Sequence, residues 1–235
     1  MKLLINADDF GYTKGVSEGI IEGYHKGIIR STTALCNMPD LAYAASLAAS
    51  ANELGIGIHL TLTLGESLTG GATITSDGHR FKSRKQFYEE LDQVKEEEVY
   101  MEFKAQIERF IEVFGKLPDH IDSHHSVHDA KHLLHVSQRI SEAYQLPMRR
   151  YSFATYISGF YGETATVEQL IALLKKYRNE EAIELMTHPG FCDLALYRQS
   201  SYHTARVKEL DVLCDEYVLA YIKEQGIHLS NYTSR

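Results

Sequence analysis

KLLINADDF, residues 2–10, starts as an apolar run and stops at two adjacent aspartates. Its first part, residues 2–7, reads as a strand from its Leu and Ile content. The run is too short for the core of a signal peptide and meets acid at once. Residues 16–26 then have helical patterning, with Gly27 as a stop. Strand-like runs recur at 32–37, 55–63, 120–123, 147–150, 182–187 and 227–231. Helix-like stretches fall at 39–52, 131–144, 167–178 and 205–225, and the charged, amphipathic stretch 87–115 reads as two helices. Residues 64–84, with four glycines and little periodicity, read as a long loop, a lid or a partner-facing arm. Residues 151–163 read as a loop rich in Tyr and Phe. Strands alternating with helices predict a parallel sheet covered on both faces. The 235 residues are close to the ~250 of a typical β/α barrel. An open doubly wound sheet is the alternative, but no GxGxxG turn follows the first strand. The expected architecture is α/β: one distorted, TIM-like β/α barrel domain over residues 1–235.

A formal net charge of -8 argues against a nucleic-acid backbone or an anionic membrane as partner. No stretch has the unbroken apolar length of a membrane span. Cys36, Cys192 and Cys214 are widely spaced and form no CxxC pair, so the chain reads as reduced and cytoplasmic. The unusual count is 12 His, because histidine is both a metal ligand and an acid or base near neutral pH.

Active sites of β/α barrels lie at the C-terminal ends of the strands. Asp8 and Asp9, His59, the segment DHIDSHHSVHD at 119–129, and His188 all fall there. Two carboxylates this close repel unless a cation claims one, leaving the other free as a base. Taken alone, DDFG also reads as a turn in which one Asp caps the next helix. His59, taken alone, reads as a hydrogen-bonded core residue. In the histidine cluster, His124 and His128 would share a helical face, but the preceding strand favours a loop in which some histidines ligate and others orient them or meet substrate. Two or three His with one Asp suit Zn²⁺ and other transition metals; a Mg²⁺ site is normally richer in oxygen. His188 precedes Pro189 at a fixed turn, as a strand-end cap or as a general acid.

LLINADDFG (3–11), GIIRSTTALCNMP (27–39), GIGIHLTLT (55–63), HIDSHHSVH (120–128) and LMTHPGFCD (185–193) together resemble the YdjC-like family of carbohydrate deacetylases. Its best-known members are chitooligosaccharide deacetylases acting on diacetylchitobiose or its phosphate. The resemblance runs in order over residues 3–209. It implies a distorted β/α barrel, one divalent metal ion (Mg²⁺ or Zn²⁺), a small N-acetylated sugar as substrate and a homodimer. It also implies Asp8 as general base, Asp9, His59 and His124 as metal ligands, and His188 as the late histidine near the leaving group. Many relatives have a third histidine where this chain has Ser126. His125 and His128 are then expected to meet substrate. Tyr151, Phe153, Tyr156, Phe160 and Tyr161 offer flat surfaces for sugar rings, and Arg149 or Arg150 could reach a phosphorylated sugar. Two other readings remain: a phospho-sugar glycosidase, which fits adjacent aspartates poorly, and a non-catalytic metal- or sugar-binding module.

Overall fold

The computed structural model describes residues 1–233. In chain order the elements are β1 (Lys2–Phe10), α1 (Lys14–Lys26), β2 (Ser31–Ala34), α2 (Leu41–Ala48), β3 (Gly55–Leu60), α3 (Arg84–Glu89), α4 (Glu96–Phe114) and β4 (Ile121–Ser123). They continue with α5 (Leu134–Tyr144), β5 (Thr155–Ile157), α6 (Val167–Lys176), β6 (Ala182–Thr187), α7 (Leu194–Gln199), α8 (Thr204–Leu213), α9 (Glu216–Glu224) and β7 (His228–Leu229). Every strand pairing is parallel, and the order is β4-β3-β2-β1-β6-β5. β6 follows β1 from Lys2 to Ala7. β7 meets Lys2 and Leu3, and β2 meets Asn6, Ala7 and Phe10, so these two share the other edge of β1. Flat, β4 and β6 would lie about 19 Å apart. Yet Arg149, whose backbone pairs with Ile121 of β4, bonds Glu184 of β6 at 2.8 Å. The sheet is therefore curled into a distorted, incomplete barrel.

Alternation along β1 separates its two faces. Leu3, Ile5 and Ala7 join the main apolar core beneath the helices. Leu4 faces the lumen in a small cluster with Ala154, Ala182 and Tyr232. Asn6 and Asp8 follow it on that face, both buried. β2 adds Ser31 and Thr33, β3 His59, β4 Asp122 and β6 Glu184, so the lumen above Leu4 is polar. Burial on this scale requires partners for each group. On the outside, α1 is capped by Thr13, whose hydroxyl accepts from the Val16 N–H. A Cβ on its Gly19 would lie 2.5 Å from Gly190 Cα, so only glycine lets the helix pack on the turn that follows β6.

Three expectations are corrected. Residues 147–150 make only an isolated bridge to β4, and the true strand, β5, lies inside the expected loop 151–163. The chain leaves the ladder at Arg150, which has φ +68°. The expected helix 205–225 is two, because the Asp215 carboxylate accepts from the Tyr217 and Val218 N–H groups and starts α9. The loop 64–84 is fastened rather than free. Buried Glu102 of α4 accepts from the Ser67 and Thr69 hydroxyls (both 2.6 Å) and from the Leu68 and Thr69 N–H groups (3.1 and 3.0 Å). Lys82 Nζ is held by Thr73 O and Glu90. No helix among the described residues is long and apolar enough to cross a membrane.

Candidate active site

The strand ends bring several polar side chains to one end of the barrel. The β1–β2 register shifts between Ala7 and Phe10, and Asp9 has φ +75°. This left-handed turn, which Asp tolerates better than most residues, lets consecutive carboxylates face the same end of the barrel. Asp9 Oδ1 lies 3.3 Å from His59 Nε2 and 3.0 Å from His124 Nδ1. The ligand atoms of these three residues all lie within 4.8 Å of one another. His59 Nδ1 is 2.6 Å from Asp122 Oδ1, the outer carboxylate that commonly orients a metal-binding imidazole. Burial opposes a charge on His59, but Asp122, Asp9 and Asp8 outweigh it and push the ring up to about 10. The cluster thus favours positive charge between its members, and one carboxylate with two imidazoles is a fitting donor set for a divalent cation. A second group, Asp8, His59 and Asp122, is also close enough to ligate. The Asp122 oxygens are already taken: Oδ1 meets His59 Nδ1, and Oδ2 accepts from Thr33 (2.9 Å) and Asn6 (3.2 Å) and is ion-paired with Arg149 (2.8 Å). The first group, unlike the second, opens wholly onto a cavity of about 490 Å³.

Asp8 is held differently from its neighbour. Arg149 donates to it through both ends of its fork, Nη1 to Oδ2 (2.9 Å) and Nη2 to Oδ1 (2.8 Å). Asn6 Nδ2 also donates to Oδ1, at 2.8 Å. Burial raises the Asp8 pKa, but Arg149 overrides it and holds the carboxyl well below the usual range. Each carboxylate oxygen can accept about two hydrogen bonds, so Oδ2, which accepts from Arg149 Nη1, retains one acceptor position in a residue that lines the cavity. His188 stands across that cavity after β6. Its backbone N–H donates to Glu209 Oε2 at 2.5 Å, while its buried Nδ1 has no partner. Burial pushes the His188 ring down to about 4, so it is neutral near pH 7. Tyr161 and Tyr202 stack at 4.3 Å, and both meet His188 edge-on.

The sequence model of the YdjC-like protein family matches residues 2–224. The chain belongs to this family. A carbohydrate deacetylase of Geobacillus stearothermophilus is 37% identical over 97% of this chain and 96% of its own length. A chitooligosaccharide deacetylase of Proteus mirabilis is 36% identical, over 98% and 97%. A crystal structure from Enterococcus faecalis, described as a candidate cellobiose-phosphate cleavage protein, superposes with a TM-score of 0.92 at 37% identity, covering 99% of this chain and 98% of that one.

Within this YdjC-like chain, Asp8, Asp9, His59, His124, His125 and His188 all line the cavity. His125 reaches it because it and Ser126 have φ +54° and +58°, which turn the chain back on itself after His124. Four expected substrate contacts do not line it. His128 is buried beneath the turn, its Nδ1 2.5 Å from Ser123 Oγ. Arg149 is 3% exposed and ion-paired with Asp8 inside the lumen, away from the cavity wall. Tyr151 donates to Asp129, and Tyr156 lies under the Arg150 guanidinium at 4.6 Å. Of the five aromatic candidates only Tyr161 faces the cavity. Sequence reading missed Tyr12, Arg84, Tyr202 and Arg206. Arg206 Nη2 donates to Asp9 Oδ2 at 2.5 Å, which leaves Oδ1 facing the two imidazoles. The signal for it, Arg206 and Glu209 one helical turn apart, looks like any solvated face until α8 is seen to bury both.

Proposed function

We propose that this cavity hydrolyses the N-acetyl group of a small amino sugar, releasing acetate. The observation that carries the reading is the unequal treatment of two adjacent aspartates: Asp9 belongs to the His59–His124 cluster, and Asp8 keeps one carboxylate lone pair open beside it. The names of the relatives, carbohydrate deacetylase and chitooligosaccharide deacetylase, favour the same chemistry. Asp9, His59 and His124 would hold the cation, Zn²⁺ or Mg²⁺, which when bound polarises the amide carbonyl and acidifies water. Asp8 Oδ2 takes the proton from the attacking water as the new C–O bond forms. Arg149 keeps the Asp8 carboxylate ionised and aimed, ready for that proton. The proton that Asp8 removes from water passes to His188, which starts neutral, and His188 delivers it to the nitrogen as the C–N bond breaks, so that acetate and the free amine leave and Asp8 is again ionised. Tyr161 offers a sugar ring a flat face beside His188. Exposed Arg84 on the rim suits a phosphorylated variant of the substrate.

The test is incubation of metal-reconstituted protein with diacetylchitobiose and its phosphate, with free acetate and new reducing ends assayed separately. Acetate without reducing ends is expected. New reducing ends would make the protein a glycosidase, and neither product would leave a binding module.

A further inference from the structure

Asp8 is aimed by one guanidinium, and that guanidinium is itself aimed from deeper in the barrel. Arg149 presents Nη1 and Nη2 to Asp8, and donates from Nε, on its other edge, to Glu184 Oε1 at 2.8 Å. A guanidinium is planar and rigid, so the bond at Nε sets the rotation of the fork at Nη1 and Nη2. Glu184 is fully buried on β6, and its second oxygen accepts from the Tyr232 hydroxyl at 2.6 Å. Tyr232 enters the lumen from the segment after β7 and lies flat on His120, with ring centroids 3.8 Å apart and planes 9° apart. Gly57 makes room for that stack, since a Cβ there would fall 2.5 Å from the His120 ring. Neither Glu184 nor Tyr232 lines the cavity.

We propose that Glu184 and Tyr232 are positioning residues that hold Arg149, and through it Asp8, in the orientation needed to take a proton from the attacking water. The proposal rests on the reading of Asp8 as the base. A chain of three contacts thus ties the floor of the lumen to the reacting end of the barrel. Small displacements of a base cost turnover steeply, on the order of a hundredfold for an ångström. Metal and substrate are held by other groups; Arg149 reaches the metal cluster only through its ion pair with Asp122, which retains its bonds to Thr33, Asn6 and His59, so the effect on metal affinity should be small beside that on turnover.

Tyr232→Phe keeps the ring and its stack and removes only the hydroxyl. It should lower kcat about tenfold, with KM and bound metal unchanged. Glu184→Gln should lower kcat further, about a hundredfold, and the double variant should be no slower than Glu184→Gln alone, because both act along one path. Nitrogen-15 NMR of the Arg149 guanidinium gives a readout independent of turnover. In the wild type its Nη groups should be locked against rotation; in Tyr232→Phe and Glu184→Gln they should begin to rotate. If the wild type releases no acetate, the functional reading falls, and the NMR comparison alone decides the coupling. Unchanged kcat and unchanged guanidinium signals in both variants would overturn the proposal, as would losses in kcat that multiply in full in the double variant.

Discussion

Asp8 and Asp9 share a peptide bond, yet Asp8 faces Arg149 and Asn6 while Asp9 faces two imidazoles and Arg206. Their asparagine variants should therefore fail differently. Asp8→Asn keeps the metal ligands but cannot accept a proton, and turnover should fall roughly 10²–10⁴-fold with metal still bound. Asp9→Asn should weaken metal affinity, and excess metal should restore part of the activity. Activity titrated against metal concentration separates the two; rescue of Asp8→Asn alone would reverse the assignment. A companion measurement is elemental analysis of His59→Ala and His124→Ala, each expected to lose stoichiometric metal. Full occupancy in either would remove that residue from the ligand set. These strand-end residues were legible in sequence because a barrel collects its chemistry at one end. Arg149 and His128 were not, since a charged residue looks solvent-facing until its buried counter-charges, contributed by distant strands, are known.

At the scale of elements, the long loop shows why composition misleads. Glycines and missing periodicity suggested mobility, but the stabilising partner, Glu102, lies on another element and gathers donors from residues 67–69. Glu102→Ala should cut hydrogen-exchange protection of residues 67–70 about 10- to 100-fold, the loss expected for a buried charged acceptor. Because Leu64 and Arg84 flank the loop and line the cavity, KM should rise as well. Protection unchanged in that segment would show that the loop is held by other contacts. Most strands and helices were readable from periodicity, whereas β5 has only three residues, too few for a period of two to declare itself. The break at Asp215 did carry a readable signal, an N-cap residue inside a helix-like run.

Over the whole molecule, the polar lumen makes stability depend on pH. Burial pushes the His128 ring down to about 3, below the 6.5 of an unfolded imidazole. The unfolded chain then binds more protons, so this ring's contribution is present above pH 6.5 and is lost as pH falls toward 3. Wild type should lose up to about 1.4 kcal/mol per pH unit more than His128→Gln in that window. Buried Asp122, Glu184 and Glu209 are raised and act in the opposite sense, so the difference between the two proteins is the quantity to measure, by denaturant unfolding at pH 7, 6 and 5. Parallel curves would mean that His128 is not held neutral. The placement of β1 at the middle of the sheet has a further effect, in time rather than in energy. One edge of β1 is completed by β6, whose first paired residue, Ala182, is synthesised 180 positions after Lys2. At 5–20 residues per second, a ribosome leaves that edge, a row of backbone N–H and C=O groups, unpaired for roughly ten to forty seconds before its partner emerges. For that interval the nascent chain offers a template for strand pairing with other chains that the finished barrel no longer presents.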